Sequence, residues 1–172
     1  SAVLTDQSDI AVPTVAYVAE NLGCPTIGNE MAELFTNKFK MREFCFVNGF
    51  NSPEYKLCKT FEEAREFYEM ISKTIVVKPL DSQSSRGVFT INSIEELKEK
   101  FAISQSFSSD KEAVILERYV SGKEFTIDGI VYEGKHYSLA ISEKAHFRYN
   151  KNIASELLFS YYNDNYDYDV LR

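Results

Sequence analysis

Apolar positions recur along this chain at two spacings, and the switches between them mark its elements. Over 12–25, "VPTVAYVAENLGCP", residues Val15, Val18, Ala19 and Leu22 fall on one helical face, Pro13 suits the first turn and Gly23 stops the run. Residues 36–49, "TNKFKMREFCFVNG", read as a second helix ended by Asn48-Gly49, and 55–59, "YKLCK", as a short strand. In 60–73, "TFEEAREFYEMISK", Thr60 and Glu63 form a capping box ahead of the apolar set Phe61, Ala64, Phe67 and Ile71. The β-branched run "TIVVKPL" (74–80) is a strand in which Pro79 favours an end or an edge.

The pattern then partly repeats. "GVFTI" (87–91) predicts a strand, and "SIEELKEKF" (93–101) a helix boxed by Ser93 and Glu96. "ISQSFSSDK" (103–111) reads as a serine-rich loop and "AVILERYV" (113–120) as another strand. Residues 36–120 thus describe an α+β unit of about four strands with helices on one side. Beyond it, "EFTIDGIVYEGKHYSLAISEK" (124–144) alternates around Glu133-Gly134, as an antiparallel hairpin of a different sheet would. The tail "YYNDNYDYDVLR" shows neither period. The chain is expected to be a fragment: it opens Ser1-Ala2 in place of a methionine and stops soon after starting a new sheet.

Composition narrows the function. With 172 residues, 44% of them hydrophobic and 14% aromatic, the chain can bury a core, which argues against disorder. Its apolar runs are too short to span a bilayer and no signal-peptide pattern opens it. A net charge of −7 without a basic tract disfavours a nucleic-acid surface. An anionic ligand must then be held by local lysines and backbone N–H groups. Cys24, Cys45 and Cys58 form no CxxC and read as reduced thiols of a cytoplasmic protein. His136 and His146 are too few for a zinc site with nearby cysteines.

One stretch carries candidate chemistry. The strand "TIVVKPL" delivers Lys78 to the mouth of "DSQSSRGV", a loop of small residues whose N–H groups can approach a polyphosphate. The plainer alternative is a hairpin loop with a chance lysine. In "ILERYVSGKEFTIDG" (115–129), Glu117 and Glu124 flank the bend at Ser121-Gly122. Such a hinge offers backbone groups to an adenine edge and a carboxylate to ribose hydroxyls, while a glutamate like Glu124 taken alone is more often a solvated strand-end charge.

In order and spacing, "TNKFKMREF", "IVVKPLDSQSSRGV" and "ILERYVSGKEFTIDG" resemble the ATP-grasp superfamily. "TDQSDIAVPTVAYVAENLGCPTIG" is similar to the link preceding the nucleotide domain in carbamoyl-phosphate synthase-like and biotin carboxylase-like ligases. The resemblance implies a lid subdomain with a four-stranded antiparallel sheet and flanking helices, an α/β (α+β) fold, plus the start of a second antiparallel sheet. Residues 1–34 would be the link, 35–120 the lid and 121–172 the truncated second subdomain. It implies ATP and Mg2+ as cofactors, with Lys38 (or its rival Lys40) and Lys78 on the phosphates and Ser84, Ser85, Arg86, Gly87 and Val88 on the mobile loop. Glu117, Arg118, Tyr119 and Val120 would read adenine and Glu124 the ribose.

The implied activity is ligation. ATP would activate a small-molecule carboxylate as an acyl phosphate for attack by an amine or other nucleophile, with no nucleic-acid or membrane partner. The alternatives are an ATP-grasp small-molecule kinase and a non-catalytic nucleotide-binding module. Two departures stand out. The loop has a single glycine, and nothing up to Arg172 matches the family's metal ligands, so none are assigned and the fragment is expected to lack turnover. Lys144, His146, Arg148 and Lys151 in "SEKAHFRYNKN" read either as an acceptor-substrate pocket or as a solvated basic loop.

Overall fold

The computed structural model describes residues 1–5, 8–109 and 111–159, and the tail 161–172 read above lies outside them. The chain divides into two compact units, Ser1–Val120 and Ser121–Arg172.

The first unit opens with helices α1 (Val12–Asn21), α2 (Asn29–Thr36) and α3 (Lys38–Val47). Helix α1 stops before Gly23. Helix α2 was not anticipated; Glu20 of α1 accepts from the Asn29 backbone N–H at its first turn, 3.2 Å. Asn37 separates α2 from α3 by turning extended and capping the N–H groups of Phe39 and Lys40 at 3.0 and 3.1 Å. Then follow β1 (Tyr55–Cys58), α4 (Phe61–Ile71), β2 (Ile75–Pro79), β3 (Phe89–Ile91), α5 (Ile94–Ser106) and β4 (Val114–Arg118). The Thr60–Glu63 capping box forms in full. Ser93 caps α5, and Glu96 reaches one residue further back, to the Asn92 N–H at 2.7 Å.

These four strands form an antiparallel sheet in the order β1-β4-β2-β3. One face carries the main core, in which Cys58, Ile75, Val77, Val114 and Leu116 pack against Ala64 and Phe67 of α4 and Leu97 and Phe101 of α5. The opposite face carries a smaller cluster of Leu80, Ala113 and Ile115, with Phe39, Tyr55 and Leu57 against it. The expected single layer of helices therefore describes α4 and α5, whereas α3 sends Phe39 to the other face. The serine-rich segment at 103–106 is helical rather than a loop, because Leu97, Phe101 and Ser104 are buried along one stripe of α5.

The second unit holds one antiparallel sheet, β5 (Glu124–Tyr132), β6 (Lys135–Phe147) and β7 (Asn150–Phe159), in that order. The predicted hairpin turn forms at Glu133 and Gly134, whose φ values of 50° and 74° belong to a two-residue turn matching the strand twist. The segment read as a basic loop is instead the end of β6 and the start of β7.

Candidate functional site

The antiparallel register gives the smaller face of the first sheet its chemistry. Lys78 lies opposite Ile115, and Val76 opposite Glu117, so the lysine and the glutamate project on the same side of neighbouring strands. Glu117 is only 4% exposed. Arg42 of α3 donates to it through a fork, Nε to Oε1 at 2.9 Å and Nη2 to Oε2 at 3.1 Å. Lys78 Nζ donates to Oε2 at 2.7 Å. Burial pushes the Glu117 carboxyl up, but the hydrogen bonds and charges of Arg42 and Lys78 outweigh it and hold the group below the ordinary glutamate value. The same fork raises Arg42 above the usual arginine value.

Lys38 joins this group from the start of α3. Its backbone N–H donates to Leu80 O at 2.8 Å, which pins the helix to the end of β2, and its Nζ donates to Ser82 O at 2.7 Å. Burial first, and the charge of Lys78 second, push its pKa below that of a free lysine. The carboxylates of Asp81, Asp9 and Glu117 oppose that shift. The rival Lys40 instead pairs with Glu33 of α2.

The loop itself is shaped by its backbone. Ser84 and Ser85 have φ of 55° and 56°, left-handed values that glycines hold at low cost. Gly87, at φ 73°, has no room for a side chain: a Cβ there would lie 2.7 Å from Pro79 and 2.8 Å from Phe107. Asp81 is tied to Ser109 through that residue's N–H and hydroxyl, and the Leu80 N–H donates to the buried Ser108 hydroxyl at 3.0 Å. Arg86 is exposed, its Nε donating to Gln83 O at 3.3 Å, and Val88 donates its N–H to Ser85 O.

At the stretch read as an adenine hinge, the Glu117 side chain is buried and paired with Arg42 and Lys78. The N–H groups of Arg118 and Tyr119 are committed to Glu54 O and Thr74 O, at 2.8 and 3.0 Å. A base edge could be met at this stretch only by carbonyls, side chains or the Val120 N–H. In the second unit, Glu124 accepts from Lys144 at 2.7 Å and faces His146 Nε2 at 3.1 Å. The Lys144 hydrogen bond leads in holding its pKa below the ordinary value. Arg148 lies in the turn after β6, and the Lys151 side chain lies outside the described residues.

Sequence reasoning missed Arg42, although its position one helical turn after Lys38 places both on one face of α3. The cysteines are free thiols, and burial pushes Cys58 up to about 12, which removes it as a nucleophile. Among the described residues no group of three or more His, Cys, Asp or Glu is placed so that it could hold a metal ion. Glu117 and Glu124 are both engaged by cations, so neither fits as a magnesium ligand, whereas Lys38 and Lys78 fit a phosphate chain. No helix of the described residues is long and apolar enough to cross a membrane.

Comparison with known proteins gives this geometry a family. Residues 71–160 match the ATP-grasp domain, and the chain belongs to that family. It is 30% identical over 122 residues to phosphoribosylamine–glycine ligase of Methanocorpusculum labreanum, covering 70% of this chain and 28% of the relative. It is likewise 30% identical over 104 residues to the mitochondrial arginine-specific carbamoyl phosphate synthase large chain of Neurospora crassa, covering 60% of this chain and 9% of that one. The crystal structure of D-alanyl-alanine synthetase A from Vibrio cholerae superposes with a TM-score of 0.73 at 17% identity, over 92% of this chain and 50% of that chain, a likeness of fold. The chain spans less than a third of the length of both curated relatives. The mixed α/β fold with two antiparallel sheets is the one the resemblance implied.

Proposed function

We propose that the chain binds the phosphate chain of ATP through Lys38 and Lys78, and belongs to a ligase that joins a small carboxylate to an amine or other nucleophile. The observation that carries this reading is a local surplus of positive charge in an acidic protein. Arg42 and Lys78 share one buried carboxylate, Glu117, and Lys38 stands at the same strand end with its Nζ on Ser82 O and Asp81 nearby, beside a loop of small residues, in a chain of net charge −7. Positioned cations of this kind stabilise the charge that develops on transferring phosphoryl oxygens. In this reading residues 35–120 are the lid subdomain, with 1–34 leading into it and 121–172 beginning the next subdomain.

When bound, ATP with Mg2+ supplies a phosphoryl group that turns a carboxylate into an acyl phosphate. This chain's residues would bind and orient that phosphate chain: Lys78 from the end of β2, Lys38 from the start of α3, and the 81–88 loop covering it. The relatives named above join different substrates. The product is therefore left at the level of a carboxylate ligated to a nucleophile, with the carbamoyl-phosphate synthase-like reaction one member of that class. Titration calorimetry of MgATP tests the binding step. Lys78→Ala and Lys38→Ala should each weaken affinity about tenfold or more, the expected loss for a desolvated charge contact. Equal affinity in the parent and both variants would place the nucleotide elsewhere.

A further inference from the structure

We propose, resting on the nucleotide reading above, that Arg42 is a positioning residue: it takes up the charge of Glu117 and so leaves the Lys78 ammonium available to an anion. The geometry supports a division of labour within the carboxylate. Arg42 spans both oxygens with its fork, while Lys78 shares only Oε2 and uses one of its three N–H donors. Without Arg42, Lys78 and Glu117 would form a neutral one-to-one pair, and a phosphate approaching the lysine would meet the carboxylate's repulsion as well. With Arg42 the trio keeps one net positive charge.

The fold builds this arrangement from three distant segments. Helix α3 is anchored at Leu80 through the Lys38 N–H, which sets the height at which Arg42, one turn further on, reaches the sheet. Strand β4 supplies Glu117 in the row of Val76 and Tyr55, and β2 supplies Lys78 in the adjacent row with Ile115. A purely structural ion pair needs one cation. The second, half-buried cation leaves the group with more positive charge than Glu117 neutralises, which an anionic ligand can meet.

The test is a charge ladder read with inorganic tripolyphosphate, which has no base or ribose for Glu117 to touch. Affinity is measured for the parent chain and for Arg42→Gln, Glu117→Gln, the double variant and Arg42→Lys, each checked for a cooperative melt. Affinity should follow the trio's net charge. Arg42→Gln should bind about tenfold more weakly, Glu117→Gln more tightly, and the double variant within about threefold of the parent; Arg42→Lys, which keeps the charge but loses the fork, should also stay within about threefold. A merely structural Arg42 predicts no rescue in the double variant, and a direct phosphate ligand predicts the same. Either result, or an Arg42→Gln chain that binds as the parent does, overturns the inference. Should Arg42→Gln fail to fold, weaker binding by Glu117→Gln sinks it alone. If the parent binds neither ATP nor tripolyphosphate, the nucleotide reading falls first and this inference with it.

Discussion

On β2 and β4, Ile75, Val77, Val114 and Leu116 point to one face of the first sheet, while Val76, Lys78, Ile115 and Glu117 point to the other. Alternate residues of the same two strands thus serve different ends. The first face is closed by α4 and α5 over Phe67, Leu97 and Phe101 and holds no charged group in its cluster. The second is met by α3 with one aromatic, Phe39, and with the cations that surround Glu117. Apolar packing on one side makes the strands rigid enough to hold charges at hydrogen-bond distance on the other. The price of that surplus charge falls on the second face.

The sharpest way to break this comparison is to empty the packed face. Phe67 is 2% exposed, and Phe67→Ala should cost about 4 kcal/mol of stability by leaving a cavity among α4, α5 and the sheet. The measurement is urea unfolding. A loss below about 1 kcal/mol would mean that α4 is not packed as described.

The ionic face is expected to show its contribution through pH. Glu117 has a folded-state pKa below the ordinary value, so its contribution is complete above the unfolded pKa of about 4.3 and disappears as pH falls through the folded value. At pH 7, Glu117→Gln should be about 2 kcal/mol less stable than the parent, since Arg42 and Lys78 lose their counter-charge. On acidification the two unfolding curves should converge as the parent's carboxylate takes up its proton. A difference that persists unchanged to pH 3 would mean that Glu117 acts through shape rather than charge.

What was legible in the sequence was local. Thr60 with Glu63, the Ser93 cap of α5, Gly23 after α1 and the Glu133-Gly134 turn each state their conformation within four residues and appear where they were read, with Glu96 closing on Asn92 instead of Ser93. Lys78 at the strand end was legible for the same reason. Helix α2 was not, because only eight residues separate Gly28 from the Asn37 cap and its anchor, Glu20, sits on another helix. The last turn of α5 was hidden by serines, since a buried Ser104 carries no hydrophobic signal. The pairing of Arg42 with Glu117 joins residues far apart in sequence, and the capture of the Arg118 and Tyr119 N–H groups by Glu54 and Thr74 depends on sheet order. Periodicity reads faces, but it does not say which cation meets which carboxylate.

The smallest effects sharpen the comparison at the loop joining the two faces, where packing ends and the candidate phosphate site begins. Gly87 belongs to the packed side: its φ of 73° and the 2.7 Å approach to Pro79 mean that Gly87→Ala should cost about 2 kcal/mol, through backbone strain together with overlap. Ser84 belongs to the loop tip, exposed and left-handed at φ 55°. There Ser84→Gly relieves about 1 kcal/mol of backbone strain but adds a comparable freedom to the unfolded chain, so stability should change by less than about 0.5 kcal/mol. The two substitutions run in opposite directions, glycine removed at one site and added at the other, and thermal unfolding reads both. If Ser84→Gly were as costly as Gly87→Ala, the tip would be held by packing rather than by its own turn, and the loop could not cover a phosphate chain without disturbing the core.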